Sequence, residues 1–372
     1  MDLELTDDQL DLRDAVRSVL ADACPPTLVR SVVEGTNDGS ALWATLVGLD
    51  WPALGIAVED GGLGATLVEV GIVVEELGRM VAPTPYLATV TQFVPAVVAA
   101  GSSMRLADVA AGTCTGAFAV AEDGRWDPES VRTRAERVGT GWRLIGTKSH
   151  VLDGARADEI VVVARGDEGL GLFMVPGDAV VADVPALVDP TMPIASVPLD
   201  RVEVGDDRVL LAPGHDGADA AVRRALDEAT VAMTLSTVAT ARAIFEATVA
   251  YAGERYQFGR AIGSFQAVKH RLADCLVALE RASALGYFAL LAVAEDDPRR
   301  PLAVAMAAAA GRQCSRLLTR DGLQLHGAIG YTWEHDLHLY LKRAAVGEVL
   351  FGTEAYHRAR VAELLGLVGG AA

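Results

Sequence analysis

Residues 253–274 read GERYQFGRAIGSFQAVKHRLAD and residues 321–344 read DGLQLHGAIGYTWEHDLHLYLKRA, and the spacing within these two stretches decides the fold. Gly259 and Arg260 interrupt a helical run. Beyond them Phe265, Val268, Leu272, Cys275 and Leu279 recur three and four residues apart, the stripe of a helix in a bundle. Helical patterning extends from about residue 218 to 365, broken again at 297–301 and at 327–330.

Working outward, residues 1–112 are also helical in pattern. Thr6-Asp7-Asp8-Gln9 has the spacing of a capping box, Leu12, Val16, Val19 and Leu20 follow at helical intervals, and Pro25-Pro26 stops the run. Gly61-Gly62-Leu63-Gly64 leads into a second helix with Ile72, Val73, Leu77 and Met80 on its apolar side. Glu69, Glu75 and Glu76 are read as solvated. Near residue 113 the period changes: short β-rich runs at 116–120, 142–145, 160–164, 172–175 and 202–204 are separated by turns such as Pro176-Gly177 and Asp189-Pro190. Pro213-Gly214-His215-Asp216-Gly217 reads as a linker. The expected architecture is α+β and mostly α: a helical domain over 1–112, a central β-domain over 113–213 and a helical bundle over 214–372.

A chain of 372 residues buries enough surface to fold without staples. Its four cysteines, Cys24, Cys114, Cys275 and Cys314, form no CxxC or Cys/His cluster, which points to a reduced compartment and no metal site. The acidic opening MDLELTDDQLDLRD lacks an apolar signal region, and acidic residues interrupt each later apolar run. A cytoplasmic protein with no membrane span is therefore expected. Fifty acidic against 32 basic residues, a net charge of −18, disfavour nucleic acid as a partner.

The order helices, β-domain, helices, together with the two quoted stretches, resembles the flavin-dependent acyl-CoA dehydrogenases over essentially the whole chain. The resemblance implies an N-terminal helical domain, a central β-barrel-like domain and a C-terminal four-helix bundle, assembled as a dimer or tetramer. It implies FAD as cofactor and oxidation of the Cα–Cβ bond of an acyl-CoA thioester. A carboxylate takes the α-proton while hydride leaves for the flavin, and an electron-transferring flavoprotein or similar acceptor follows.

Carried over residue by residue, Arg255 matches the arginine that pairs with the FAD pyrophosphate across a subunit boundary, and Phe258 the aromatic beside it. Arg255 alternatively closes a helix turn with Glu254 or caps the C-terminal end of its helix. Gln324 matches the glutamine at the adenosine-pyrophosphate end, and Gly327 and Ala328 stand at the usual Gly-Gly pair. As an alternative, Gly327 and Gly330 simply turn the chain between helices. Thr353 follows the catalytic position as a flavin contact or an ordinary helix cap. Arg343 is read as structural.

The pattern breaks where chemistry is expected. The string that carries the family's base reads Leu350-Phe351-Gly352-Thr353 here, and the second position known to hold it is Ala229. Neither side chain accepts a proton. Glu228, offset by about 100 degrees on a helix, and Glu348, almost one turn before Phe351, are the substitutes to weigh against solvated or paired helix carboxylates. In the β-domain the loop and hydroxyl that hold the flavin are replaced by Glu122-Asp123-Gly124-Arg125-Trp126-Asp127 and by His150-Val151-Leu152-Asp153-Gly154. His150 is either a substitute donor or substrate contact, or a packed or surface histidine.

Three hypotheses follow. In the first, the chain lacks its own base and completes the FAD site of a homologous base-containing subunit, active only within that hetero-oligomer, as the resemblance to heteromeric sterol-degrading enzymes implies. In the second, it is a self-sufficient homo-oligomer with a displaced carboxylate. In the third, it is a non-enzymatic acyl-CoA-binding or structural relative.

Overall fold

The computed structural model describes residues 4–367. In chain order the helices are α1 (Asp7–Ala23), α2 (Pro26–Val33), α3 (Ser40–Gly48), α4 (Leu67–Arg79), α5 (Tyr86–Ala88), α6 (Val94–Ala99), α7 (Leu106–Ala110), α8 (Ala218–Glu254), α9 (Gln266–Ala294), α10 (Arg300–His326), α11 (Leu337–Gly347) and α12 (Glu354–Leu364). Between α7 and α8 lie the strands β1 (Gly116–Ala119), β2 (Arg134–Val138), β3 (Gly141–Leu152), β4 (Glu159–Gly166), β5 (Gly169–Pro176), β6 (Ile194–Gly205) and β7 (Val209–Leu211). The chain forms two compact units: Met1–Gly39, Gly71–Pro83 and Thr230–Ala372 in a helical unit, and Ser40–Val70 and Thr84–Ala229 in a unit built on the sheet.

In the helical unit, α1 starts on the expected capping box: the Gln9 N–H donates to Thr6 Oγ1 at 3.3 Å and the Thr6 N–H to Gln9 Oε1 at 3.1 Å. Pro25 and Pro26 both end this helix and start α2, Pro26 sitting at a first-turn position where its missing N–H costs nothing. Ile72, Val73 and Leu77 of α4 are buried as expected. Glu75 and Glu76 are not solvated as expected. Glu76 is 3 % exposed and takes two hydrogen bonds from Arg17, while Glu75 accepts from the Tyr287 hydroxyl. The helix period places them beside the apolar stripe, where cations on α1 and a phenol on α9 meet them.

The bundle core gathers Val238, Ala241 and Ile244 from α8, Cys275, Leu279 and Ala282 from α9, Ala310, Cys314 and Leu318 from α10, and Leu337 and Ala344 from α11. Of the predicted stripe on α9, Cys275 and Leu279 are buried and Phe265, Val268 and Leu272 half-buried. By length and composition alone α9 is long and apolar enough to cross a membrane, although Glu280 and Arg281 interrupt it as the sequence expectation has it. The reason is its nearly uncharged second half, and 44 % of its most apolar window is buried within the protein.

In the other unit the sheet order is β6-β3-β2-β4-β5-β7, with β1 pairing parallel to β4. β4 and β5 are buried nearly throughout, and with Leu144, Val151, Val197, Leu199 and Val204 they form this unit's core. Each fully buried aliphatic side chain here contributes about 1.5–3 kcal/mol. Sequence reading missed β2 and β7. β2 reads Arg-Ala-Glu-Arg-Val with only Ala135 buried, so it carries no apolar signal. β3 also runs farther than 142–145, through Lys148 to Leu152. A single helical stretch over α5 and α6 contains a π-turn at Thr89–Phe93, which lays Phe93 against Gly116; a Cβ there would fall 2.1 Å from the Phe93 ring.

All four cysteines are free and buried, Cys114 in the sheet unit and the others in the helical unit. Burial pushes the thiols of Cys24, Cys114 and Cys314 up to about 12 and that of Cys275 to about 11.

Candidate functional site

α8 ends in a two-residue hairpin in which Tyr256–Gln257 pairs with Arg260–Ala261. Both tip residues are left-handed, Phe258 at φ 54° and Gly259 at 79°, as a tight hairpin of this kind requires. Phe258 is 91 % exposed, with the Phe265 ring edge-on at 6.2 Å. Arg260 lies over the Phe265 ring at 3.9 Å. The Arg255 backbone is clamped, its N–H donating to Tyr251 O and its carbonyl accepting from the Ile262 N–H, both at 2.8 Å. Its exposed guanidinium forms no ion pair with any described residue, so the alternative pairing with Glu254 is not made.

Gln324 is exposed on the last turn of α10, and Gly327 ends that helix at φ 67° with no heavy atom within 4 Å of where a Cβ would stand. Ala328 beside it is exposed. His326, buried, accounts for how these two helix ends meet: its ring stacks on Tyr251 at 4.6 Å and its Nδ1 bonds to Gly322 O at 2.8 Å. Tyr251 lies one turn before Arg255, and His326 two residues after Gln324. Sequence reasoning passed over this stack, although a histidine and a tyrosine at the ends of two bundle helices were its available signal.

The Leu350–Gly352 turn is built differently. Phe351 is 6 % exposed and left-handed at φ 59°, a strained conformation for an aromatic residue. Arg312, 1 % exposed, donates from Nε to Gly352 O and from Nη2 to Leu350 O, each at 2.6 Å. His357 Nε2 bonds to Phe351 O at 2.9 Å. Three consecutive carbonyls are thereby tied down. Burial lowers the Arg312 pKa to about 10 and pushes His357 down to about 3, so His357 is neutral and donates through Nε2. Arg312 sits in an Ala/Gly-rich run, and a charge on that core face was the overlooked signal. Thr353 is exposed and caps α12, accepting from the Tyr356 N–H at 3.3 Å. Arg343 is buried and donates to Val81 O and Ala82 O, a structural role.

Ala229 is 1 % exposed. Glu228 accepts from Arg224 Nε at 2.6 Å, and Glu348 from Arg316 Nε at 3.3 Å. Burial raises the Glu348 pKa above the ordinary carboxylate value against the pull of Arg316.

In the sheet unit, Leu152 is buried at 3 % exposure and brings no hydroxyl. Glu122 remains a working part of the structure. Its carboxylate accepts from the fully buried Lys148 Nζ at 2.6 Å and from the N–H groups of Arg132 and Thr133. Burial lowers Lys148 to about 8, and Lys148 in turn helps hold Glu122 below its ordinary value against its own desolvation. This pair fastens the 122–125 turn to β3, where a bulge between Lys148 and Val151 holds His150 at φ 54° with its ring 5.5 Å from Trp126.

These residues can be tested against the cofactor that the sequence implies. An unpaired guanidinium at Arg255, an exposed ring at Phe258, a free carboxamide at Gln324 and open backbone at Gly327 offer donors to a pyrophosphate and a flat apolar contact, and so fit a flavin dinucleotide. Among the described residues no group of three or more His, Cys, Asp or Glu is placed to hold a metal ion.

Residues 6–116 match the family "Acyl-CoA dehydrogenase, N-terminal domain" and residues 215–366 the family "Acyl-CoA dehydrogenase, C-terminal domain". The chain is 32 % identical over 338 residues to the acyl-CoA dehydrogenase IpdE2 of Mycobacterium tuberculosis, covering 90 % of this chain and 89 % of that protein. It superposes on a chain of the ChsE4–ChsE5 complex from Mycobacterium tuberculosis with a TM-score of 0.89 at 25 % identity, covering 100 % of both. A chain of the Tcur3481–Tcur3483 steroid ACAD gives a TM-score of 0.85 at 27 % identity, covering 97 % of this chain and 98 % of that one.

Proposed function

Since the chain belongs to the acyl-CoA dehydrogenase family of FAD-dependent oxidoreductases, we propose that it is the subunit of a mixed enzyme that lacks a catalytic base and completes its partner's FAD site. The observation that carries this reading is the contrast between an arm whose Arg255, Phe258 and Gln324 are exposed and a base position filled by buried Phe351. The similarity to a chain of the ChsE4–ChsE5 complex supports a heteromeric assembly.

In this reading Arg255 grips the pyrophosphate through its planar fork and Phe258 covers the adjoining apolar surface. Gln324 and the open backbone at Gly327 hold the adenosine end, with Ala328 beside them. FAD, when bound, accepts the hydride from Cβ of the acyl-CoA. The carboxylate that removes the α-proton would come from the homologous partner, and an electron-transferring flavoprotein or similar acceptor would be the electron acceptor. Nothing in Phe351 or Ala229 can move that proton.

The test compares the chain purified alone with the chain co-expressed with a base-containing family member. Alone it should carry little flavin and leave acyl-CoA unoxidised; with the partner, flavin content and turnover should appear together. Full flavin occupancy with turnover by the lone chain would sink the proposal. A specific observation favours a second reading, a self-sufficient enzyme using Glu348: burial raises the pKa of that carboxylate above its ordinary value, against the pull of Arg316. Glu348→Gln abolishing turnover by the lone chain would establish it. Glu228, tied to Arg224, is the weaker substitute.

A further inference from the structure

Within the helical unit a cavity of about 340 Å³ opens among α1, α4, α8 and α9, at the small end of the range of small-molecule sites. No residue of the Arg255 arm or of the 350–353 turn lines it. Its walls carry four guanidiniums, those of Arg13, Arg17, Arg79 and Arg242, against three carboxylates, those of Glu75, Glu76 and Glu246; Ser283 and Tyr287 supply hydroxyls.

Two of the arginines are held bidentately by a carboxylate. Arg17 donates to both oxygens of Glu76, at 3.1 and 2.7 Å, and Arg79 to both oxygens of Glu246, at 3.0 and 2.8 Å. The other two are not. Arg242 uses one terminal nitrogen, Nη2, for Ser283 at 3.1 Å and for Glu280 at 3.0 Å. Arg13 has a buried Nε with no hydrogen-bond acceptor; its nearest carboxylate, Asp14 at 3.6 Å, has a side chain 68 % exposed to solvent. Glu280 likewise lies outside the cavity, with its side chain 58 % exposed. Water screens both outer acids and also the lining Arg17 and Glu246 side chains, each 49 % exposed, whereas Glu76 is buried.

We propose that this cavity binds a small oxyanion, with Arg13 Nε and the unshared N–H groups of Arg242 as its donors. A buried N–H without an acceptor is costly, and a charged donor more so; a carboxylate or sulfate group removes that cost at Arg13. Glu75 decides how strongly the cavity attracts an anion. It accepts from the Tyr287 hydroxyl, and burial pushes its pKa to about 7, against the opposing pull of that hydrogen bond and of Arg242 and Arg13. Near pH 7 the cavity therefore exchanges a lining charge of +1 for +2 as Glu75 takes up a proton. Anion affinity rises as pH falls through 7. The site lies outside the proposed cofactor arm and does not depend on the partner-subunit reading.

Isothermal titration of the full chain with sulfate at constant ionic strength, at pH 6 and pH 8, tests this, because sulfate itself does not titrate between them. Binding should be severalfold tighter at pH 6, and Glu75→Gln should make the pH 8 affinity equal to that at pH 6. Arg13→Ala should weaken it by about tenfold, the loss of a charge-assisted hydrogen bond; Arg242→Ala should do the same. A malonate arm separates the sources: tighter binding of malonate assigns the site to carboxylates, tighter binding of sulfate to tetrahedral anions. The proposal is overturned if neither anion binds, or if Arg13→Ala binds both as the parent does. Arg13 is the deciding variant should Arg242→Ala not fold.

Discussion

Arg255 and Arg312 belong to the same helical unit and meet opposite fates. One presents its guanidinium to solvent with no partner among the described residues. The other is wholly buried and spends its donors on the carbonyls of Ala308, Leu350 and Gly352. A cation left unpaired at the surface has no reason of internal stability to stay in place, whereas a cation buried among carbonyls is explained by the fold alone. In the proposed reading the first is a binding residue; the second is a strut. The same division separates the arm, with Phe258 and Gln324 exposed, from the turn around Phe351, whose three carbonyls are bonded internally.

The comparison breaks most visibly at Arg312. Arg312→Ala leaves buried carbonyls without donors and opens a cavity, so it should cost about 3–5 kcal/mol, read as a lower midpoint in urea unfolding; a shift below 1 kcal/mol would mean that the turn does not need its strut. Glu122→Gln strands the buried Lys148 ammonium and should cost about 3 kcal/mol in the same measurement.

Protonation of Glu75 supplies an intermediate effect. Its folded pKa of about 7 lies above the unfolded value, so the folded state holds the extra proton between roughly pH 4.5 and 7. That contribution is fully present below the unfolded pKa and is lost as pH rises through 7. The loss is on the order of 3 kcal/mol, and Glu75→Gln should flatten the stability profile in this window. Arg255→Ala sharpens the comparison from the other side. Its unfolding free energy should change by less than about 0.5 kcal/mol, while FAD retention by the assembled enzyme falls by about tenfold or more, measured by equilibrium dialysis.

Much of the fold was legible because its signals are local. The Thr6 capping box, the stop at Pro25-Pro26, the α9 stripe and the buried runs of β4 and β5 each lie within one element. What escaped the sequence depends on residues far apart. Glu75 and Glu76 look like solvent carboxylates on α4 until Tyr287 and Arg17 arrive from α9 and α1. β2 has no apolar period of its own and exists because β3 folds back on it and β4 joins beside it. The arm residues could be proposed from sequence since each is a distinctive chemical type at fixed spacing. Arg312 and His357 were not, because a buried charge and a buried imidazole reveal their purpose only once the 350–352 carbonyls are beside them.

The four thiols offer a practical gauge of how these parts hold together. None is both exposed and ionised near neutral pH, so a thiolate-directed reagent should modify the native protein only through transient opening. With Cys114 in the sheet unit and Cys24, Cys275 and Cys314 in the helical one, the order in which peptides acquire label would time the breathing of the two units separately, without any introduced probe.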